Sequence, residues 1–104
     1  VLMGLPLAYL LDLKRYDAPS AAQRLKLPML FLQGNRDFQV TTKDFDLWKS
    51  AMAGRRDAVF RAYPALNHLF IAGEAKASPA EYRVPGNVSP EPVAAIADWL
   101  LAQK

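Results

Sequence analysis

Leu27-Pro28-Met29-Leu30-Phe31-Leu32-Gln33-Gly34-Asn35-Arg36-Asp37-Phe38-Gln39-Val40 is the stretch on which the reading of this chain turns. Met29 to Gln33 form a nearly continuous apolar run, with a proline before it and a glycine after it. The pattern predicts a strand buried on both faces of a parallel sheet. Gly34 is expected to take a backbone conformation closed to other residues, turning the chain sharply off the strand. Asn35, Arg36 and Asp37 are thereby presented at the strand's C-terminal end, where open α/β sheets build their sites.

A second strand is predicted over Ala58–Tyr63, followed by the loop Tyr63-Pro64-Ala65-Leu66-Asn67-His68-Leu69-Phe70, which carries the only histidine. Between the strands, Thr41 or Thr42 caps a helix over Lys43–Ala53, with Asp44 and Asp46 in its early turns and Gly54 as its stop. Phe45, Trp48 and Met52 share one face of that helix, at spacings of three and four, and Lys43, Asp46 and Lys49 lie elsewhere. The stripe reads as packing against the sheet. Gly34 to Tyr63 is then a βαβ crossover, whose strands run parallel with their C-terminal ends on one side. Asp37 and His68 meet at that edge. An aspartate holding a histidine is two-thirds of a nucleophilic triad.

Outward from this centre, Pro6–Leu13 is expected to be helical. Asp17-Ala18-Pro19-Ser20 opens a short helix through Leu25, capped by Asp17 or Ser20. Gly73–Ser89 carries two glycines, two prolines and no clear period. A loop of this length either covers a site, meets a partner or is a plain surface excursion. Ser89-Pro90-Glu91 marks the start of a last helix, with Val93, Ile96, Ala97, Leu100 and Leu101 as the apolar stripe that packs on the sheet.

The 104 residues suffice for one domain with a modest core; 52% are hydrophobic and 22% charged, which is ordinary for a soluble globular protein. The net charge of +3 is scattered, so no nucleic-acid partner is expected. Arg55-Arg56, the nearest thing to a basic cluster, is read as complementing a helix dipole. With no cysteine and a single histidine, no metal or other cofactor is expected. Val1–Leu11 is too short to span a bilayer and lacks the basic start of a signal peptide, which points to the cytoplasm and to no membrane partner. Because the chain opens with valine in the middle of an apolar segment, it is expected to be the tail of something longer.

The segments Leu-Gln-Gly-Asn-Arg-Asp-Phe-Gln-Val, Asn-His-Leu-Phe, Glu-Tyr-Arg-Val-Pro-Gly-Asn-Val and the closing Ile-Ala-Asp-Trp-Leu together resemble the C-terminal part of α/β-hydrolases. The similarity is to the dienelactone-hydrolase-like and prolyl-oligopeptidase-like esterases and peptidases, and it covers nearly all of the chain from Ala18 onward. It implies an α/β fold, a C-terminal βαβα portion of the hydrolase sheet over 1–104. It further implies that Asp37 is the acid and His68 the base that takes a proton from a serine attacking an ester or peptide carbonyl. The chain departs from the family pattern in one respect: no Gly-x-Ser-x-Gly elbow occurs in these residues. Ser20, Ser50, Ser78 and Ser89 each have a structural explanation.

The expectation is therefore ester or peptide hydrolysis when complete, with a small-molecule ester or peptide as substrate and this chain supplying the Asp-His part. Alone it is expected to be inactive. The alternative is a non-catalytic hydrolase-fold fragment or interaction module that forms homo-oligomers through the exposed edge of the Met29–Gln33 strand.

Overall fold

The apolar run after Pro28 forms β1 (Met29–Gly34), and Ala58–Tyr63 forms β2, paired directly beside it in parallel in a computed structural model that describes residues 1–103. The register runs from Met29 opposite Ala58 to Gly34 opposite Tyr63, so both strands end level. Ahead of the sheet lie α1 (Leu7–Arg15) and α2 (Ala18–Gln23); α3 (Thr42–Ala51) makes the crossover, a short 3-10 helix spans Pro79–Arg83, and α4 (Pro90–Ala102) closes the chain. The result is a small α/β structure with a two-stranded parallel sheet. Among the described residues, no helix is long and apolar enough to cross a membrane.

Side-chain alternation along the strands sorts the helices onto opposite faces. Phe31 and Phe60, opposite each other in register, stack at 4.6 Å, and α3 lays Trp48 at 5.0 Å from Phe31 and Phe45 edge-on at 5.6 Å from Phe60. Offset and edge-to-face rings add to the area they bury. The expected stripe therefore does pack on the sheet, with Phe45 and Met52 buried. The start of α3 is fixed where Asp44 accepts the Thr41 backbone N–H at 3.2 Å. Gly54 lies just beyond its end, with φ at +84°. On the other face, Leu30, Val59 and Arg61 look toward Ala95, Asp98 and Trp99 of α4.

Several expectations are corrected. β1 is only half-buried until Gln33 and Gly34, because a sheet of two strands covers one edge and leaves the other open. The α4 stripe is exposed, with Ile96 at 43% and Leu100 at 57%; Pro92 is that helix's one buried residue, and Ala95 and Trp99 are half-buried. Asp17, not Ser20, caps α2: its carboxylate accepts the Ser20 N–H at 3.5 Å and the Ser20 hydroxyl at 2.5 Å. Arg55 serves the end of α2 rather than that of α3, donating to Ala22 O at 3.4 Å. Its guanidinium donates to the carbonyls of Leu25 and Leu27 at 3.0 Å each and to Asp57 at 2.9 and 2.8 Å, tying the approach to β1 against the approach to β2.

The accessible surface is 7946 Å². A folded monomer of this mass is expected to expose about 5,800 Å². The radius of gyration, 16.2 Å, likewise exceeds the roughly 13 Å of a compact chain of this length. Large apolar side chains are exposed along α1 and α4, among them Leu7, Leu13, Val93 and Leu100.

Candidate functional site

Gly34 ends β1 as expected, but for another reason. It does not have a positive φ. A Cβ there would lie 2.5 Å from the Asn67 carbonyl oxygen and 2.6 Å from that of Leu66. The residue is glycine because the two loops leaving the strands touch backbone to backbone at this point. Asn35 N–H donates to Tyr63 O at 2.9 Å and Arg36 N–H to Leu66 O at 3.0 Å. Gln33, buried, reaches back with its amide to Val40 O at 2.7 Å and braces the far side of the Asp37 loop.

Within that loop Asp37 is fully engaged. Its Oδ1 accepts the N–H groups of Gln39 at 2.8 Å and Val40 at 3.0 Å, and its Oδ2 lies 2.7 Å from His68 Nδ1. Burial by itself would push the Asp37 carboxyl up; the His68 hydrogen bond and then the two backbone N–H groups outweigh it and hold the carboxyl below its ordinary value. An ionised carboxylate only accepts, so the ring proton of His68 is on Nδ1, which donates. Asp37 is 8% exposed at its side chain and His68 37%. The shielded partner is thus the carboxylate, while the imidazole keeps Nε2 free on the accessible side.

The His68 loop is organised by Asn67, which is 1% exposed. Its Oδ1 accepts the N–H groups of Leu69 at 2.9 Å and Ile71 at 3.0 Å, an Asx-type closure that replaces a backbone turn. Leu66 and Ala72 bridge below it, and Gly73 N–H donates to Ala65 O at 2.9 Å. Phe70 is held at φ +58°, with its ring edge-on to Tyr63 at 6.3 Å. A left-handed phenylalanine persists only where its surroundings over-determine it, and these closures supply that constraint.

Gly73–Ser89, read from sequence as an unpatterned loop, is pinned against this end of the sheet. Tyr82, on the 3-10 helix, stacks with Phe38 at 5.6 Å and its hydroxyl accepts from Gln39 Nε2 at 2.5 Å. Arg36 reaches Glu81 and Ala75 O in the same segment. Ala77 is buried, and Ser89 N–H donates to Phe70 O at 2.8 Å.

The structure thus brings the two sequence-derived site residues, Asp37 and His68, into contact. Asn67 shapes the His68 turn, and Phe38 and Phe70 pack on Tyr82 and Tyr63 beside it. The bracing roles of Gln33, Arg36 and Glu81 were not read from the sequence. For Gln33 a signal existed, since an amide closing an apolar strand before a glycine needs a partner once buried. None of the four serines is on a strand-to-helix turn: Ser20 and Ser50 are on α2 and α3, Ser78 precedes the 3-10 helix, and Ser89 caps α4.

Chemically, a free imidazole nitrogen backed by an ionised, desolvated carboxylate can take up a proton and hold the resulting charge. Comparison with known proteins bears on which reaction that is. Over 99 residues, 95% of its length, the chain is 40% identical to Esterase EstD of Thermotoga maritima. The chain spans about a quarter of that protein, 24% of its length. No protein-family model matches the chain, and no solved structure does.

Proposed function

We propose that this chain is the acid-and-base portion of an ester-hydrolysing α/β-hydrolase of the dienelactone-hydrolase-like kind, with Asp37 as the orienting acid and His68 as the general base. The observation that carries the reading is the 2.7 Å contact between His68 Nδ1 and Asp37 Oδ2 at the level ends of two parallel strands. The similarity to Esterase EstD favours an ester over a peptide as substrate. In the proposed reaction, a serine hydroxyl supplied by polypeptide outside these 104 residues gives its proton to His68 Nε2 as its oxygen attacks the ester carbonyl. Asp37 keeps the ring in the tautomer with Nδ1–H and stabilises the imidazolium. His68 then returns the proton to the departing alcohol, and a water molecule repeats the sequence to free the acid.

The test is a chimera in which this chain replaces the matching 99-residue stretch of Esterase EstD. It is expected to hydrolyse p-nitrophenyl acetate, and Asp37→Asn or His68→Ala is expected to lower kcat by about 10³–10⁴. Activity that survives both substitutions refutes the assignment. The 104-residue chain alone is expected to give the same background rate with and without His68→Ala.

A second reading is that the chain by itself self-associates through β1, and one surface favours it. Met29 N–H donates to Asp57 O and Asn35 N–H to Tyr63 O. Alternation along the strand therefore turns the backbone polar groups of Leu30 and Leu32 to the outer edge. That edge floors an open, mainly apolar groove of about 520 Å³, walled by Leu25 and Trp48 on one side and Ile96 and Leu100 on the other. Antiparallel pairing of two β1 edges about a two-fold axis would make a four-stranded sheet and set α4 against α4. The reading expects a dimer in sedimentation; a monomer that persists at micromolar concentration removes it.

A further inference from the structure

The Asp37–His68 contact is only as constant as the separation of the loops that carry it, and one side chain touches every segment involved. Arg36 is 10% exposed at its side chain. Its Nη1 donates to Ala65 O at 3.2 Å, on the leg entering the His68 loop, and its Nε donates to Ala75 O at 2.7 Å, just past the leg leaving it. Its Nη2 pairs with the Glu81 carboxylate on the 3-10 helix. Gly73 leaves room for the guanidinium: a Cβ there would lie 2.6 Å from its central carbon. The backbone of Arg36 is one residue from Asp37 and is bonded to Leu66 O.

We propose that Arg36, locked by Glu81, is a positioning residue that fixes the His68 loop against the Asp37 loop and so keeps Nδ1–H of His68 on Oδ2 of Asp37. The inference rests on the reading of that pair as acid and base. Three fixed donors are needed here. The contacted groups lie on three different stretches of chain, and a guanidinium presents its N–H groups in a rigid planar fork, whereas an ammonium is a single point on a flexible stem. Glu81 has its own part. A cation this shielded is retained in place only with a charge partner, and the pairing in turn holds the Glu81 carboxyl below its ordinary value, mainly through the Arg36 hydrogen bond. Pulled together by one fork, the legs of the His68 loop cannot spread without breaking several bonds at once.

His68 is the only histidine, so the ¹⁵N resonances of its imidazole need no assignment by mutation. Measured on the 104-residue chain at alkaline pH, they report directly which nitrogen carries the proton. Wild type is expected to show the Nδ1–H form, and Asp37→Asn to lose it in favour of Nε2–H. Arg36→Lys and Glu81→Gln are expected to lose much of the Nδ1–H population, and Arg36→Ala nearly all of it. Arg55→Ala is the control, because it unties an equally well-bonded guanidinium at the opposite end of the strands. It is expected to lower Tm and leave the tautomer untouched.

If Asp37→Asn converts the ring while Arg36→Lys, Arg36→Ala and Glu81→Gln keep the wild-type tautomer, the Arg36 proposal is overturned and the acid-base reading stands. If wild type lacks the Nδ1–H form or Asp37→Asn leaves it unchanged, both fall together. Should Arg36→Ala unfold the chain, the two variants that preserve volume carry the decision.

Discussion

At the C-terminal ends of β1 and β2 the polar groups are nearly all paired and shielded. Asn67 is 1% exposed, Asp37 accepts three hydrogen bonds, and the loops are joined carbonyl to amide. On α1 and α4 large apolar side chains face water instead, and those of β1 are only half-buried. The difference separates two kinds of folding information. The loop end is closed by short-range bonds within each loop and by bonds between the loops, such as Asn35 N–H to Tyr63 O and His68 to Asp37. The apolar flank is satisfied only by something seated on it, because apolar surface gains stability by leaving water and not by finding a particular partner.

Breaking the loop end should cost the most. Asn67→Ala strips two shielded N–H groups of their acceptor, and an orphaned donor costs about 1–3 kcal/mol. A loss of about 2–4 kcal/mol is expected in urea unfolding. A loss under 0.5 kcal/mol would show that water takes over the bonds. Gly34→Ala forces a methyl against two carbonyl oxygens and is expected to cost about 1–3 kcal/mol, as overpacking generally does. Because the clash is with backbone, no rotamer change relieves it; a near-neutral effect would mean the loops part easily.

The next effect depends on pH. The Asp37 carboxyl lies below 3.8 in the folded chain. A depressed carboxyl contributes stability that is fully present above its unfolded value and is lost as pH falls through the folded one. The urea midpoint of wild type should therefore exceed that of Asp37→Asn at neutral pH, and the gap should close as the solution is acidified below 3.8. A gap that stays constant through the acid range contradicts this linkage.

The smallest change in stability is expected on the flank. Ile96→Lys and Leu100→Lys replace exposed side chains, and such substitutions typically stay within about 0.5 kcal/mol. If copies associate through β1, the same pair should shift sedimentation toward monomer; equal association with and without them would place the contact elsewhere.

The sheet was legible because a buried strand and an amphipathic crossover have local signatures: Met29–Gln33 bounded by Pro28 and Gly34, and the Phe45, Trp48, Met52 spacing. The Asp37–His68 contact was legible too, since a parallel crossover delivers both strand ends to one side. The α4 stripe was misread as buried because periodicity shows which residues share a face and not whether anything covers it. The role of Gly34 was misread because sequence cannot distinguish a glycine needed for its own dihedrals from one needed by a neighbour's carbonyl. The bracing role of Arg36 was not legible, because its partners at Ala65, Ala75 and Glu81 are 29 to 45 residues away.

The register of the two strands also sets where the chain can change length. Gly34 lies opposite Tyr63, so Asp37 and His68 are each counted from a fixed rung, and a residue added or removed between rung and side chain moves it away from its mate. The crossover is counted from nothing of the kind. Around Gly54 there is open space, with no atom within 4 Å of where a Cβ would be. Homologous sequences that differ in length should therefore gather their insertions and deletions there, and keep the short spans from Gly34 to Asp37 and from Tyr63 to His68 at constant length.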